Sequence, residues 1–241
     1  MIKLSERLKM IAGEVLPGKV MADVGTDHGL LPAYLYQEGI CPGVIMTDIS
    51  PGSLDKARET CEKYLPGREM DFRLGSGIEV LKAGEAATLV IAGMGGLLMS
   101  QILGADPLKA KSFERVILQP RSAVGELIKW LYDNQLSVAS IKLVREGKYI
   151  CEILSCQNGI EGGLPVSWQG EPKESIKWAV PEWIAAEKTE LATEYLTRKL
   201  MREEKILEEI KKGNKQETGT VRQNIEYLRD LLWSQRNNDQ I

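Results

Sequence analysis

The chain has 241 residues, a formal net charge of −3, and hydrophobic and charged shares of 43% and 27%. Those shares lie near the globular average and exclude wholesale disorder; a chain this long buries a large core without disulfides or metals to staple it. No run approaches the roughly 20 apolar residues of a membrane span, and Lys3, Glu6, Arg7 and Lys9 interrupt any apolar core of a secretory signal in the first ten residues. The four cysteines form no C-x-x-C pair, so reduced thiols in a cytoplasmic protein are expected. With a single histidine, His28, a multi-histidine zinc site is excluded, and no metal is expected. The acidic balance argues against a nucleic-acid binder, because phosphate contacts need local positive charge, while leaving room for a local basic patch.

Five short apolar runs in the first two-thirds read as strands: Lys19 to Val24, Gly43 to Ile49, Met70 to Leu74, Thr88 to Ala92 and Arg115 to Leu118. Helical patterns lie between and after them, at Leu30 to Glu38, Ser53 to Tyr64, Gly77 to Leu81, Leu97 to Leu103 and Val124 to Asn134. Continuous apolar strands alternating with helices predict a parallel sheet covered on both faces, an α/β doubly wound, Rossmann-like fold. Ser50 and Pro51 suit the cap and first turn of the helix that follows. Val138 to Val144 and Tyr149 to Cys156, separated by Arg145-Glu146-Gly147-Lys148, predict an antiparallel hairpin instead of another βα unit. An α/β sheet closed by such a pair is the ending found in S-adenosylmethionine-dependent methyltransferase domains.

A Gly/Pro-rich stretch from Asn158 to Pro181 predicts a linker. The expected division is a cofactor-binding domain over 1–160, then a linker and helical hairpin over 161–241. One long helix is predicted from Glu182 to Lys212, ending at Gly213-Asn214, and a second from Thr220 to Arg236. Val221, Ile225, Leu228 and Leu232 on the second, facing Leu191, Leu200 and Leu207 on the first, predict a coiled-coil seam. Acidic and basic residues nearly balance there, so the hairpin is not basic overall.

The segment Asp23-Val24-Gly25-Thr26-Asp27-His28-Gly29 falls between the first strand and first helix. Its glycines permit a tight turn and close approach of backbone to a ligand. Its spacing is not the G-x-G-x-x-G of dinucleotide folds, and Asp27 stands where a pyrophosphate would have to sit. Acidic residues there suit a ligand that carries a sulfonium and an ammonium and no phosphate, namely S-adenosylmethionine. Asp48, followed by Ile49, ends the second strand, about 25 residues after Asp23, where an acid accepts both hydroxyls of a ribose. Gly75-Ser76-Gly77 follows the third strand, where methyltransferases place an adenine. Ala92-Gly93-Met94-Gly95-Gly96 follows the fourth and predicts an open rim at the switch point of the sheet. Gln119-Pro120-Arg121 follows the fifth, with Gln119 suited to read a base edge and Arg121 a phosphate. Each glycine pair taken singly is equally explained as a turn of the chain.

Taken together, Leu4 to Leu8 with Arg7, Ala22 to Gly29, Ile91 to Gly96, Ile117 to Pro120, Gly147 to Tyr149 and Glu152 to Leu154 resemble the bacterial tRNA adenine-N1 methyltransferase family TrmK. The resemblance covers the whole chain, since members also end in a helical coiled-coil hairpin, and it implies methylation of adenine 22 of tRNA. The chain departs from the family pattern at Leu30 for Tyr, Asp48 for Glu, Ser76 for Asp and Arg121 for Asn.

The expected function is therefore methyl transfer from S-adenosylmethionine to N1 of an adenine in tRNA, with a small-molecule methyltransferase and a non-catalytic RNA-binding module as alternatives. The expected cofactor residues are Asp23, Gly25, Thr26, Asp48, Ile49, Gly75, Ser76, Gly77, Ala92 and Gly93. Arg7, Met94, Gly95, Gln119 and Arg121 are expected to meet the substrate, and Asp27 or His28 to steady the charge that develops on the methylated base. Arg7, Arg73 and Arg121 are expected to form a positive face at the mouth of the site. The partner expected is tRNA, with no membrane, and the chain is expected to be a monomer.

Overall fold

A computed structural model describes residues 1–158, 170–213 and 218–237. Residues 159–169 of the predicted linker, together with 214–217 and 238–241, lie outside them. The chain divides into two compact units, Met1–Ala123 with Trp130–Pro165, and Val124–Lys129 with Val166–Ile241. The expected boundary at 160/161 lies outside the described residues, and Val124–Lys129, from the α/β region, groups with the C-terminal unit.

The first unit holds one sheet, β1 (Met21–Val24), β2 (Val44–Asp48), β3 (Asp71–Leu74), β4 (Thr88–Met94), β5 (Arg115–Pro120), β6 (Leu136–Glu146) and β7 (Tyr149–Asn158), in the order 3-2-1-4-5-7-6. The first five strands are parallel and β7 is antiparallel to both β5 and β6. Every residue of β1 is buried, as a central strand covered on both faces requires. Met21 pairs with Val44 on one side and Thr88 on the other, which aligns the carboxyl ends of β1, β2 and β4. The strand order reverses between β1 and β4, and open α/β sheets bind ligands at that reversal.

Helices α1 (Glu6–Glu14), α2 (Leu30–Gln37), α3 (Pro51–Tyr64), α4 (Gly96–Gly104), α5 (Pro107–Ser112) and α6 (Val124–Asp133) complete the α/β region. Ser50 caps α3 by accepting from Ser53 N at 3.3 Å, with Pro51 in its first turn. Gly77 to Leu81 is a turn, not the helix predicted. Its apolar residues Ile78 and Leu81 are buried, but Gly77 is in the left-handed region at φ 51°, where an added Cβ would lie 2.8 Å from Ile102 Cγ2. Two further helices were not predicted: α1, capped by Ser5, and α5, capped by Asp106.

In the C-terminal unit the single helix predicted from Glu182 to Lys212 is two, α7 (Glu182–Ala186) and α8 (Glu190–Lys212). Lys188 breaks the run with φ 45°, and the Thr189 hydroxyl accepts from Ala192 N at 3.1 Å to start α8. Helix α9 (Gly219–Asn237) runs antiparallel to α8: Thr193 bonds Gln235, and Asn224 bonds Glu203. The expected seam is corrected in part. Leu191, Leu200 and Leu207 are only half-buried, whereas Ala192, Tyr195 and Leu196 are buried in the first two turns of α8. The deep burial of α8 sits at its start because Trp178, Val180 and Ile184 pack there, with Tyr195 donating to the Ala179 carbonyl and Tyr227 to that of Val180.

Candidate active site

A cleft of about 420 Å³ opens at the carboxyl ends of the strands beside the switch point. Its acidic wall is Asp23, Asp27 and Asp48. Its floor is Gly25, Thr26, Ala92, Gly93 and Met94, and Arg7, His28 and Arg121 stand at its rim with Leu8, Leu30 and Leu31. Gly25 and Gly93 hold φ of 77° and 78°, a region that L side chains rarely adopt. A Cβ on Gly25 would fill the floor, 2.0 Å from Met94 Cε.

Asp23 is the next-to-last residue of buried strand β1 and is 7% exposed. Burial pushes its carboxyl up to about 6; the Thr26 hydroxyl, donating to Oδ2 at 2.7 Å, opposes this, while the charge of Asp48 adds to it. A carboxylate held in that state gains from a cation placed beside it. Asp48 accepts from Ser50 N at 2.8 Å through Oδ1. Asp27, with φ 43°, accepts from Lys56 Nζ at 3.0 Å, and His28 Nε2 lies 3.5 Å from its other oxygen. A non-glycine residue in that region is the kind of backbone strain that collects at functional sites.

Several predicted residues do not line the cleft. Gly75 N donates to the Asp48 carbonyl at 3.0 Å, which puts the Gly75-Ser76-Gly77 turn beside Asp48, but neither it nor Ile49 reaches the cleft wall. A Cβ on Gly75 would lie 2.1 Å from Val80 Cγ1, so this glycine packs the turn. Gly95 accommodates Ser122, whose Oγ lies 3.2 Å from the position of an added Cβ. Arg73 is also not part of a positive rim: it pairs with Asp71 and Glu85 and donates to the Val80 carbonyl, fastening the β3–β4 connection.

Gln119 is 2% exposed and turns inward. Its Oε1 accepts from Gly93 N at 3.2 Å and Arg7 Nη1 at 3.1 Å, and its Nε2 donates to the Pro120 carbonyl at 3.0 Å. Both ends of the amide are engaged within the protein, so Gln119 braces the cleft floor in place of reading a base. Arg7 Nε in turn donates to Glu146 at 2.6 Å. Burial raises the Glu146 carboxyl, but bonds from Ser5 and Arg7 outweigh it and hold the group below the usual carboxylate range. Lys56 and Glu146 escaped the sequence reading. Lys56 looks like any solvated lysine of an amphipathic helix, and Glu146 like a residue of the hairpin turn.

The donor set fits S-adenosylmethionine: an acid at the end of β1 for its ammonium, a second at the end of β2 for its ribose, and a glycine floor with no side chain in the way. A phosphate-bearing dinucleotide would face three carboxylates. Among the described residues, no helix is long and apolar enough to cross a membrane. Burial pushes the thiols of Cys41 and Cys61 up to about 11 and that of Cys156 up to about 12, and all four cysteines are unbridged.

Comparison with known proteins agrees with this geometry. A family described as "Methyltransferase domain" matches residues 4–154. The tRNA (adenine(22)-N(1))-methyltransferase of Bacillus subtilis strain 168 is 31% identical over 236 residues, 96% of this chain and 98% of the relative. The crystal structure of the B. subtilis M1A22 tRNA methyltransferase TrmK matches with a TM-score of 0.77 at 29% identity, covering 98% of each chain. A Streptococcus pneumoniae protein crystallised in complex with S-adenosyl-L-methionine matches with a TM-score of 0.81 at 24% identity over 95% of this chain and 100% of that one, a likeness of fold.

Proposed function

Because the chain belongs to the methyltransferase family of the Bacillus subtilis tRNA (adenine(22)-N(1))-methyltransferase, we propose that it moves a methyl group from S-adenosylmethionine to N1 of adenine 22 in tRNA. The observation that carries this reading is the gathering of Asp23 and Asp48 with the Gly25 and Gly93 floor at the switch point, in a chain that aligns with that relative over nearly its whole length. Such an alignment favours tRNA over a small-molecule acceptor. A tRNA substrate puts the reaction in the cytoplasm.

When bound, S-adenosylmethionine supplies an electrophilic methyl on a sulfonium. Asp23 would pair with its ammonium and Asp48 would accept from its ribose hydroxyls, the two carboxylates together orienting it. Adenine N1 lies on the Watson–Crick edge, so the base leaves its stack before reaction. Its lone pair would be the nucleophile toward the methyl that the bound cofactor supplies, and the protein's contribution is alignment more than covalent chemistry. The methylated ring is cationic until it loses a proton from its amino group. Asp27 at the cleft rim, held by Lys56, steadies that charge or takes that proton, with His28 as the neighbouring candidate.

The test is mass spectrometry of nucleosides from tRNA incubated with protein and S-adenosylmethionine, with primer extension to locate the product. N1-methyladenosine at position 22 is expected. No methylated nucleoside, or one at another atom, overturns the reading.

A further inference from the structure

A second cleft of about 650 Å³ lies beside the first. Arg7 and Arg121 line both. Its remaining walls come from Gln119 and Pro120 at the end of β5 and from the β6–β7 turn, Glu146 to Glu152. This size falls in the range of small-ligand pockets, roughly 300–1,000 Å³. The methyl-transfer chemistry described above uses none of the hairpin residues, and the hairpin is where the unusual side chains are. Tyr149 is 63% exposed, with the Lys148 ammonium 5.3 Å from its ring centroid. Arg121 is exposed; its backbone N–H donates to the Met94 carbonyl at 2.8 Å, while its guanidinium, among the described residues, makes no hydrogen bond or ion pair and passes 3.7 Å from where a Cβ on Gly93 would stand.

An exposed aromatic ring and an unpaired guanidinium, both lining a cleft that abuts the cofactor cleft, match the two parts of an unstacked nucleotide. Aromatic rings take the face of any base, and arginine takes phosphate through paired donors. Arg7 does not serve as a second phosphate ligand, since Glu146 and Gln119 already hold it; it fixes the wall between the clefts. The geometry points to the second cleft as the seat of the extruded target adenosine, its ring stacked on Tyr149, its phosphate on Arg121, and its N1 edge turned to the first cleft. This assignment rests on the tRNA reading above. It adds Tyr149 as a residue that touches the substrate and gives Arg121, already expected to meet a phosphate, its place beside it.

The test compares the full-length wild type with Tyr149→Ala, Tyr149→Phe and Arg121→Gln, using tRNA as substrate. Loss of a stacking partner lowers kcat/KM for tRNA by about 5- to 150-fold in Tyr149→Ala, while Tyr149→Phe, which keeps the ring, stays within about 2-fold. Affinity for S-adenosylmethionine, measured by calorimetry, is unchanged in both Tyr149 variants, which separates this role from general damage to the fold. In Arg121→Gln the slope of log binding constant against log salt becomes shallower by about 0.7–0.9, the loss of one phosphate contact. Wild-type activity together with an unaffected Tyr149→Ala, or with an unaltered salt slope in Arg121→Gln, overturns this assignment alone. A wild type that makes no N1-methyladenosine overturns the tRNA reading and this assignment with it.

Discussion

The Thr26 hydroxyl donates to Oδ2 of Asp23 across 2.7 Å, three residues along the chain, and it is the strongest influence holding down a carboxyl that burial pushes up to about 6. Burial, which this bond offsets only in part, makes Asp23 a charge that the fold tolerates poorly until a cation arrives.

The pH dependence follows. In the unfolded chain Asp23 releases its proton near 3.8, and in the folded chain near 6. Between those values the folded state binds more protons, so the stability owed to this group falls as pH rises from about 4 to 6 and stays reduced above. The cost at neutral pH is on the order of 3 kcal/mol. Asp23→Asn is therefore expected to raise the Tm at pH 7.5 while losing most of the affinity for S-adenosylmethionine. Calorimetric titration of the wild type from pH 5 to 8 should show affinity rising through pH 6, and the variant should be flat. A wild-type affinity constant over that range would show that Asp23 does not meet the ammonium.

Adjacent glycines after β4 differ sharply in what they can become. An added Cβ on Gly96 would lie 2.3 Å from the Ala123 carbonyl oxygen and 2.9 Å from that of Ser122, both backbone atoms. On Gly95, where φ is −71°, it would meet only Ser122 Oγ at 3.2 Å, a side chain that can rotate. Gly96→Ala is expected to destabilise by at least the 1–3 kcal/mol typical of overpacking, and Gly95→Ala by less than about 1 kcal/mol. Urea unfolding of the two variants distinguishes them. Equal midpoints would refute the assignment of Gly96 as the tight contact.

Gln119 ties the floor of the cofactor cleft to the wall shared with the second cleft. Truncation to Ala leaves Gly93 N and Arg7 Nη1 without their acceptor, a loss of about 1–3 kcal/mol for the buried donor. Gln119→Ala should lower the Tm and weaken S-adenosylmethionine binding through Gly93. Its selectivity for adenine over guanine at the target position should not change, because both ends of the amide are already engaged within the protein. A variant that methylates a guanine-substituted tRNA would support the base-reading role expected from sequence.

Much of the site was visible in the sequence because a strand's end and a glycine turn are local features. Asp23, Gly25 and Asp48 each follow an apolar run, and the sheet brings those runs into register. What stayed hidden depends on partners far along the chain. Arg7 and Glu146 are 139 residues apart, and nothing in either neighbourhood marks the pair. Gln119 read as a base-contacting amide because sequence gives its donors and acceptors but not their direction. Ile78 and Leu81 mimicked a helix face because an i, i+3 pair of apolar residues is also what a buried turn needs. Lys188 in the left-handed region has no sequence mark at all, so the break between α7 and α8 could not be read.

The sequence suggests that residues 1–165 would fold alone and bind the cofactor with nearly full affinity, and the structure changes that expectation. The first half of α6, Val124–Lys129, belongs to the C-terminal unit. Gly125 packs against Trp178 and Ala179 at 3.3–3.4 Å, and the Lys129 ammonium lies 5.4 Å from the Trp178 ring centroid. Trp178 is fully buried, and its indole N–H donates to the Pro172 carbonyl. A fragment ending at 165 keeps the whole sheet and every residue of both clefts but strips this cover from two turns of α6. It is expected to bind S-adenosylmethionine, with a Tm below that of the full chain. Because α6 follows β5 directly after Arg121, fraying of its first turns loosens the rim of both clefts, and methylation of tRNA should fall more than cofactor affinity does. Thermal melts and calorimetry on the fragment check this. A fragment as stable as the full chain would show that α6 does not need the C-terminal unit, and one with no cofactor affinity would show that the sheet itself depends on it.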